Sequence, residues 1–380
     1  MPRYSHISVA VPMLAELQNL PLLLQRLRVQ TCRQFTLYCC VNNAEGGMGF
    51  DENQQCLRLL REVTDLPLVI IDRSSPGLGW TGKKRGVGHA RKALFDCIMQ
   101  QHDDDELVVS LDADTDFAPD YLEAVLATFN AYSQHHAFSV PYYHPLSGDE
   151  ALDRPMLRYE CYMRHYLISL FRIGSPYAFT ALGSAIAFPL WAYKRVGGIT
   201  PLQGGEDFYL LQKFAKTGHI LSQFAEPYAH CRLTVRPQGR TSSRVPFGTG
   251  PAIARGVSGM DESYPFYAPE GFQAVKETFD AFPALFDGNI ETPMSNFLRQ
   301  QLGTEDLWSP LRKNFKSRDL FVHSCIERVD GLRILQYLKN NPAYRLSAEA
   351  LPVDFLNDSV TVLNRYRDSL FDEEMRLREQ

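Results

Sequence analysis

The stretch Leu107–Tyr121, LVVSLDADTDFAPDY, constrains the fold more than any other part of the chain. A short apolar run ends in Asp112 and Asp114, one residue apart, and a helix start follows near Pro119. A buried strand that carries paired carboxylates to its end is a common way to hold a divalent cation against a phosphate-bearing substrate. Residues i and i+2 of a strand face one side, so the two acids share an environment unless the chain turns first. An acidic turn that only caps the next helix would use the same letters from Asp112 to Asp116.

The rest of the first half repeats the pattern of apolar run and helix. His6–Val11 reads as a strand ending at Pro12, and the leucines of 17–29 recur at helical spacing. Phe35–Val41 is a second run, closed by the polar turn of Asn42 and Asn43, and Leu68–Ile71 is a third, closed by Asp72. Residues 84–99 are helical in pattern, Leu107–Leu111 is the fourth run, and Tyr121–Phe129 carries its helix. Short runs separated by helices predict a parallel α/β sheet. Ligands then bind beyond the carboxyl ends of the strands, where Glu16, Asn42, Asn43, Asp72, Asp112 and Asp114 would gather.

Further on, Ala137–Tyr143 is a predicted strand, 156–171 a helix rich in aromatics, and Gly183–Phe188 a short apolar piece. Glu206–Thr217 is a helix closed by Gly218. Ile220–Phe224 and Cys231–Val235 are predicted strands. From Arg236 the chain turns to Gly, Ser, Pro and Arg without periodicity, a loop or lid. Helices follow over 271–286, 321–338 and 353–370, with a charged, fraying tail at 373–380. The expected organisation is a catalytic domain over 1–235 and a loop with a smaller helical region over 236–380.

A length of 380 residues supports a large core, and 45% hydrophobic with 22% charged residues is ordinary for a globular protein. A formal net charge of −5 gives no basic field, which speaks against nucleic acid as a partner. The eight cysteines contain no tight CxxC pair, which predicts a reducing cytoplasm and no zinc site. No apolar segment approaches the ~20 residues needed to span a bilayer, and the N-terminus has no export pattern.

Five other features of the sequence bear on chemistry. Gly82–Lys92, with Lys84 and Arg91, combines flexible backbone with cations at a helix entry, suited to an anion but lacking the P-loop pattern. Glu206 and Asp207 follow two glycines and open a helix, where first-turn acids are favoured by the dipole alone. Arg236, Arg240 and Arg244 have the spacing of a mobile anion-binding loop and equally of a solvated one. Asp72 suits a nucleotide contact or a turn cap. The aromatics at 159–179 suit a sugar-stacking wall or simply a core.

In order and spacing these features resemble an inverting family-2 glycosyltransferase with the A-type nucleotide-diphospho-sugar fold. The likeness runs from Ile7 to Val235 and rests on the opening strand with Pro12 and Glu16, the Asn42–Asn43 turn, the Gly82–Leu94 stretch, Asp112-Ala113-Asp114, Gly183-Ser184-Ala185, Val196-Gly197-Gly198 and Glu206-Asp207. It implies a Rossmann-like sheet with flanking helices and a smaller helical C-terminal region. It further implies that Asp112 and Asp114 hold Mn2+ or Mg2+ on the donor diphosphate, with His230 matching by position a third ligand. Asp207 matches the base that takes the acceptor's proton, with Glu206 beside it. Pro12, Glu16, Asn42, Asn43, Asp72, Lys84, Arg91 and Asp112 match donor contacts. Asn42 and Asn43 stand where the family usually begins its turn with an aspartate, and Lys92 where it has asparagine.

The expected activity is metal-dependent transfer of a sugar from a nucleotide-diphosphate sugar to an acceptor hydroxyl, the acceptor being a carbohydrate, a lipid-linked sugar or a small molecule. A nucleotidyltransferase that forms a sugar nucleotide shares the α/β character and the metal carboxylates. A binding protein that kept the fold and lost the chemistry is the third reading. The missing QxxRW pattern and the lack of spanning helices speak against a processive membrane synthase. The expected location is the cytoplasm, with peripheral contact at the inner face of the membrane left open.

Overall fold

The computed structural model describes residues 3–82, 85–224, 226, 228–240, 248–259 and 264–379. The chain divides into two compact units, Met1–Glu160 with Phe179–Asp261 and Arg378–Gln380, and Cys161–Ala178 with Glu262–Leu377. Residues 236–261 therefore group with the first unit, and 161–178 with the second.

The first unit is built on a seven-stranded sheet of β1 (Ile7–Met13), β2 (Phe35–Asn42), β3 (Leu68–Arg73), β4 (Leu107–Ser110), β5 (Ala137–Ser139), β6 (Ile186–Pro189) and β7 (Ile220–Leu221), in the order β3-β2-β1-β4-β6-β5-β7. Around it run α1 (Leu20–Arg28), α2 (Phe50–Glu62), α3 (Val87–Gln101), α4 (Tyr121–Ala131), the first part of α5 (Glu150–Arg172), α6 (Leu190–Arg195), α7 (Glu206–Thr217), α8 (His230–Leu233) and α9 (Thr249–Val257). The expected helix-flanked Rossmann-like sheet and largely helical C-terminal region are both present.

Local chemistry accounts for these elements. Every residue of β1 is buried, as a strand covered on both faces requires. Leu20, Leu23, Leu24 and Leu27 of α1 fall on one buried face at helical spacing, each contributing ~1.5–3 kcal/mol by burial. Pro12 sits inside β1 without breaking the ladder. Ala10 accepts from the Leu111 N–H, so Pro12, two residues on, faces the same side just beyond the last β1–β4 pair, where no N–H is required.

The sheet is mixed where a parallel one was expected, because β6 runs antiparallel to both β4 and β5. Of the two strands expected over 220–235, the first shrinks to Ile220–Leu221 and the second is replaced by the short α8. Only Val235 of this stretch bridges to Tyr142, although Cys231-Arg232-Leu233-Thr234-Val235 alternates apolar and polar residues as a half-buried strand would. Helix α2 was not expected, since its buried face is only Asn53, Cys56, Leu57 and Leu60 amid polar residues.

The second unit is helical, with elements at Pro269–Asp280, Phe282–Leu285, Ser295–Leu302, Ser309–Asn314, Arg318–Arg328 and Gly331–Asn340 and most of Val360–Arg378. The helix expected over 321–338 is broken at Asp330, whose carboxylate accepts from the Arg333 N–H and caps the second half. The tail expected to fray is helical to Arg378. Glu374 is fully buried against Arg164, and in the first unit Arg378 donates to the Ser139 carbonyl at 2.9 Å. The aromatics of the second part of α5 pack in this unit's core, with Tyr162 against Tyr264 and Tyr166 against Tyr267 and Phe272. Among the described residues no helix is long and apolar enough to cross a membrane.

Candidate active site

The parallel strands β1, β2, β3 and β4 all point their carboxyl ends at one edge of the sheet. Asp112 and Asp114 leave β4 there in a turn closed by the Thr115 N–H to Asp112 carbonyl bond at 3.1 Å. The next residue, Asp116, exchanges two backbone hydrogen bonds with Arg236, at 2.9 and 2.7 Å, and its side chain pairs with Arg26 at 2.6 Å. The start of the Gly/Ser/Arg segment is thereby anchored beside the aspartate turn.

Arg91, in the second turn of α3, organises the site. Its guanidinium is buried and donates from Nη2 to Asp112 Oδ1 at 2.7 Å and from Nη1 to Glu206 Oε1. Burial works against its charge, but Asp112, Glu206 and Asp207 outweigh it and raise its pKa further. The end of β4 and the start of α7 therefore meet through one cation. Gly183 makes room for it, since a Cβ there would fall 2.1 Å from Arg91 Nη2. Arg91 was expected as a phosphate contact, whereas both of its terminal nitrogens already hold carboxylates.

Glycines position α3 and α7 by different means. Gly205 takes a left-handed φ of 77° at the N-cap of α7, which favours glycine. Gly88 lets the first turn of α3 approach the chain at Leu202, whose carbonyl oxygen would lie 2.2 Å from an added Cβ. Asp207 follows Glu206 and accepts from its neighbour's Phe208 N–H at 2.8 Å. Part of its surface stays open, yet burial and then the Glu206 charge push its pKa up to about 7 against the pull of Arg91. Asp114 behaves alike. Burial, then the charge of Asp112, raises it to about 6, opposed by Arg240.

A second arginine bridge closes over Asp114. Arg240 Nη2 lies 2.5 Å from Asp114 Oδ2 and 3.3 Å from Glu16 Oε2, so the loop cation touches two expected site acids at once. Glu16 Oε2 also accepts from Asn19 Nδ2 at 2.6 Å. Asn42 and Asn43 are buried, and their amides are engaged. Asn42 donates to the Met13 carbonyl at 2.8 Å and accepts from Trp80 Nε1 at 3.2 Å, while Asn43 Oδ1 accepts from Asn53 Nδ2 and Ser74 Oγ. Asp72 caps the turn after β3, accepting from the Ser74 and Ser75 N–H groups. Burial raises its pKa, but the Ser75 hydroxyl, donating at 2.6 Å, and those two N–H groups outweigh it and hold the carboxyl below its usual value.

His230 does not join the aspartate pair. It opens α8, with Nδ1 3.4 Å from Glu379 and its ring against Phe224 and Tyr228. Among the described residues, Asp112, Asp114 and His230 form no three-ligand group, which corrects the expected third ligand. Among the described residues the only such group is His6, His102 and Glu106, at the opposite end of β4. Lys84 and Arg244 lie outside the described residues.

No protein-family model matches the chain, and no curated protein matches it. Among solved structures, the mannosyltransferase PcManGT from Pyrobaculum calidifontis, in complex with GDP-Man and Mn2+, is 15% identical over 86% of this chain and 87% of its own, with a TM-score of 0.40. The S. aureus TarS 1-349 structure in complex with UDP-GlcNAc is 13% identical over 98% of this chain and 90% of its own, with a TM-score of 0.42. Likeness at this level carries nothing about the site, whose chemistry rests on its own residues.

Proposed function

We propose that this chain is a family-2-like, inverting glycosyltransferase that moves a sugar from a nucleotide-diphosphate donor to an acceptor hydroxyl with Mn2+ or Mg2+. The observation that carries this reading is the Arg91 bridge. It joins an acid suited to the metal end of the donor, Asp112, to Glu206, which adjoins an acid suited to the acceptor end, Asp207.

The donor set fits the ion. Asp112 and Asp114 offer hard oxygens, as Mg2+ and Mn2+ prefer, and a cation would relieve both the burial of the Asp114 carboxylate and the Asp112 charge beside it, which together raise Asp114. When bound, such an ion neutralises charge on the leaving diphosphate. The remaining work falls to the chain itself. Asp207, raised to about 7, is matched to take the proton of an acceptor hydroxyl near neutral pH. Glu206, held by Arg91, keeps the first turn of α7 in place. Arg236 stands beside the aspartate turn through its backbone, and a donor diphosphate competes with Asp114 and Glu16 for Arg240. Pro12 and Glu16 stand at the end of β1, and Asn42, Asn43 and Asp72 shape the turns at the ends of β2 and β3 on the same edge of the sheet.

The test is a panel of nucleotide-diphosphate sugars, with Mn2+ or Mg2+ and carbohydrate, lipid-linked or small acceptors, scored for the nucleotide released. Release of a nucleoside diphosphate with an inverted anomer supports the proposal. Pyrophosphate released from a nucleoside triphosphate would replace it with nucleotidyl transfer.

A further inference from the structure

The other end of β4 carries a second group of side chains that the transfer reaction does not use. Ile7 pairs with Leu107 across the parallel β1–β4 ladder, so the residues just before them, His6 and Glu106, stand side by side at the amino ends of the strands. His102, which terminates α3, reaches the same point. His6 Nδ1 lies 2.8 Å from Glu106 Oε1, and His102 Nδ1 lies 3.3 Å from Glu106 Oε2. One ligand atom from each residue falls within 4.8 Å of the others. The carboxylate is 5% exposed and the imidazoles 33% and 24%, so the group is rooted in protein and open on one side.

The hydrogen bonds behind it define which nitrogens face inward. Gln101 Nε2 donates to Cys97 Sγ at 3.3 Å, which leaves Gln101 Oε1 to accept the Tyr38 phenol proton at 2.9 Å. Tyr38 Oη, 2.8 Å from His102 Nε2, must then accept from it. In a neutral His102 ring the Nδ1 lone pair is thereby turned toward a carboxylate oxygen, a repulsive contact that a cation between them converts to an attractive one. Such a partner on the far nitrogen is how metal-binding histidines are commonly oriented. His6 has Thr36 Oγ1 at 3.4 Å on its own far nitrogen, and Ser8 Oγ donates to Glu106 Oε1 at 2.6 Å, so each prospective ligand is backed by a further polar group.

We infer that His6, His102 and Glu106 form a binding site for a divalent d-block cation of the Zn2+ class, separate from the carboxylate site at the other end of β4. Two imidazoles and one carboxylate form the three-ligand set of an open zinc site, with the fourth position turned to solvent. Bonds of about 2.0 Å in a tetrahedron set ligand atoms about 3.3 Å apart, close to the 3.1 and 3.3 Å that separate His6 Nδ1 and His102 Nδ1 from the one oxygen Glu106 Oε2. The bound ion would tie the beginnings of β1 and β4 to the end of α3. The signal was absent from the cysteine pattern because the ligands are brought together by strand register.

The test is calorimetric titration of the tag-free full chain with Zn2+ in excess Mg2+, repeated in two buffers to count protons, beside melting curves with and without Zn2+. The expected result is one Zn2+ bound at a dissociation constant on the order of micromolar or tighter, with proton release and a raised melting temperature. His102→Gln and Glu106→Gln weaken it about 100-fold. Tyr38→Phe, which keeps the buried ring and so the fold, weakens it about 10-fold. Asp112→Asn with Asp114→Asn leaves it in place. Absence of Zn2+ binding, equal affinity in Tyr38→Phe and His102→Gln chains with native circular dichroism, or loss of the site on changing Asp112 and Asp114 would each overturn the inference.

Discussion

The two ends of β4 solve one electrostatic problem with different chemistry. At the carboxyl end, Asp112 and Asp114 are countered by Arg91 and Arg240, always-charged cations on other elements. At the amino end, Glu106 is met by His6 and His102, whose charge depends on a proton. The first arrangement sets the acids against cations that keep their charge at any ordinary pH, while burial still raises Asp114 to about 6 and the neighbouring Asp207 to about 7. The second leaves nitrogen lone pairs within reach of a carboxylate, an environment suited to a softer ion than Mg2+.

The contrast is broken most severely by removing the buried arginine. Arg91→Met should leave Glu206 buried without its partner and cost about 3–5 kcal/mol, lowering the first unit's melting temperature by about 10 °C in calorimetry. Gly183→Ala should act in the same direction more weakly, about 1–3 kcal/mol, because its new Cβ displaces the guanidinium. A Gly183→Ala chain as stable as the parent would mean that the bridge can shift freely.

The third expected effect, small at each step of pH, is a slope. Asp207 has an ordinary value of 3.8 and about 7 in the folded chain, so between these the folded state binds more protons than the unfolded one. Its contribution to stability therefore falls as pH rises through that window, by about 1.4 kcal/mol per unit at most. Asp207→Asn removes this slope, and the variant should gain on the parent in denaturant titrations from acid toward neutral pH. Parallel curves would place Asp207 in an ordinary solvated setting.

Much of this was legible in sequence because it is local. Helix α7 was read over its full Glu206–Thr217 span, since Gly205 and Gly218 bracket an amphipathic run. The apolar runs of β1 to β4 gave the strand ends at which Glu16, Asn43, Asp72 and Asp112 stand. What escaped is made by long-range placement. Nothing near Arg91 announces that it meets Glu206, 115 residues away, or that Gly183 is needed to admit it. The antiparallel β6 and the His6–His102–Glu106 group follow from pairing register, which single runs do not encode. His230 failed for the complementary reason, as its place in the order of motifs matched while α8 turned its ring toward Phe224 and Glu379.

In the proposed reaction, Asp112, Asp114 and Asp207 act on one substrate assembly from its two ends. Calorimetric binding of the donor identified by the nucleotide-sugar panel, with Mn2+, alongside single-turnover rates, tests it most directly. Asp112→Asn with Asp114→Asn should abolish donor binding, while Asp207→Asn should bind the donor within a few-fold of the parent and lose turnover by about 1,000-fold or more. Undiminished turnover in Asp207→Asn, or donor binding indifferent to both aspartates of β4, would contradict it.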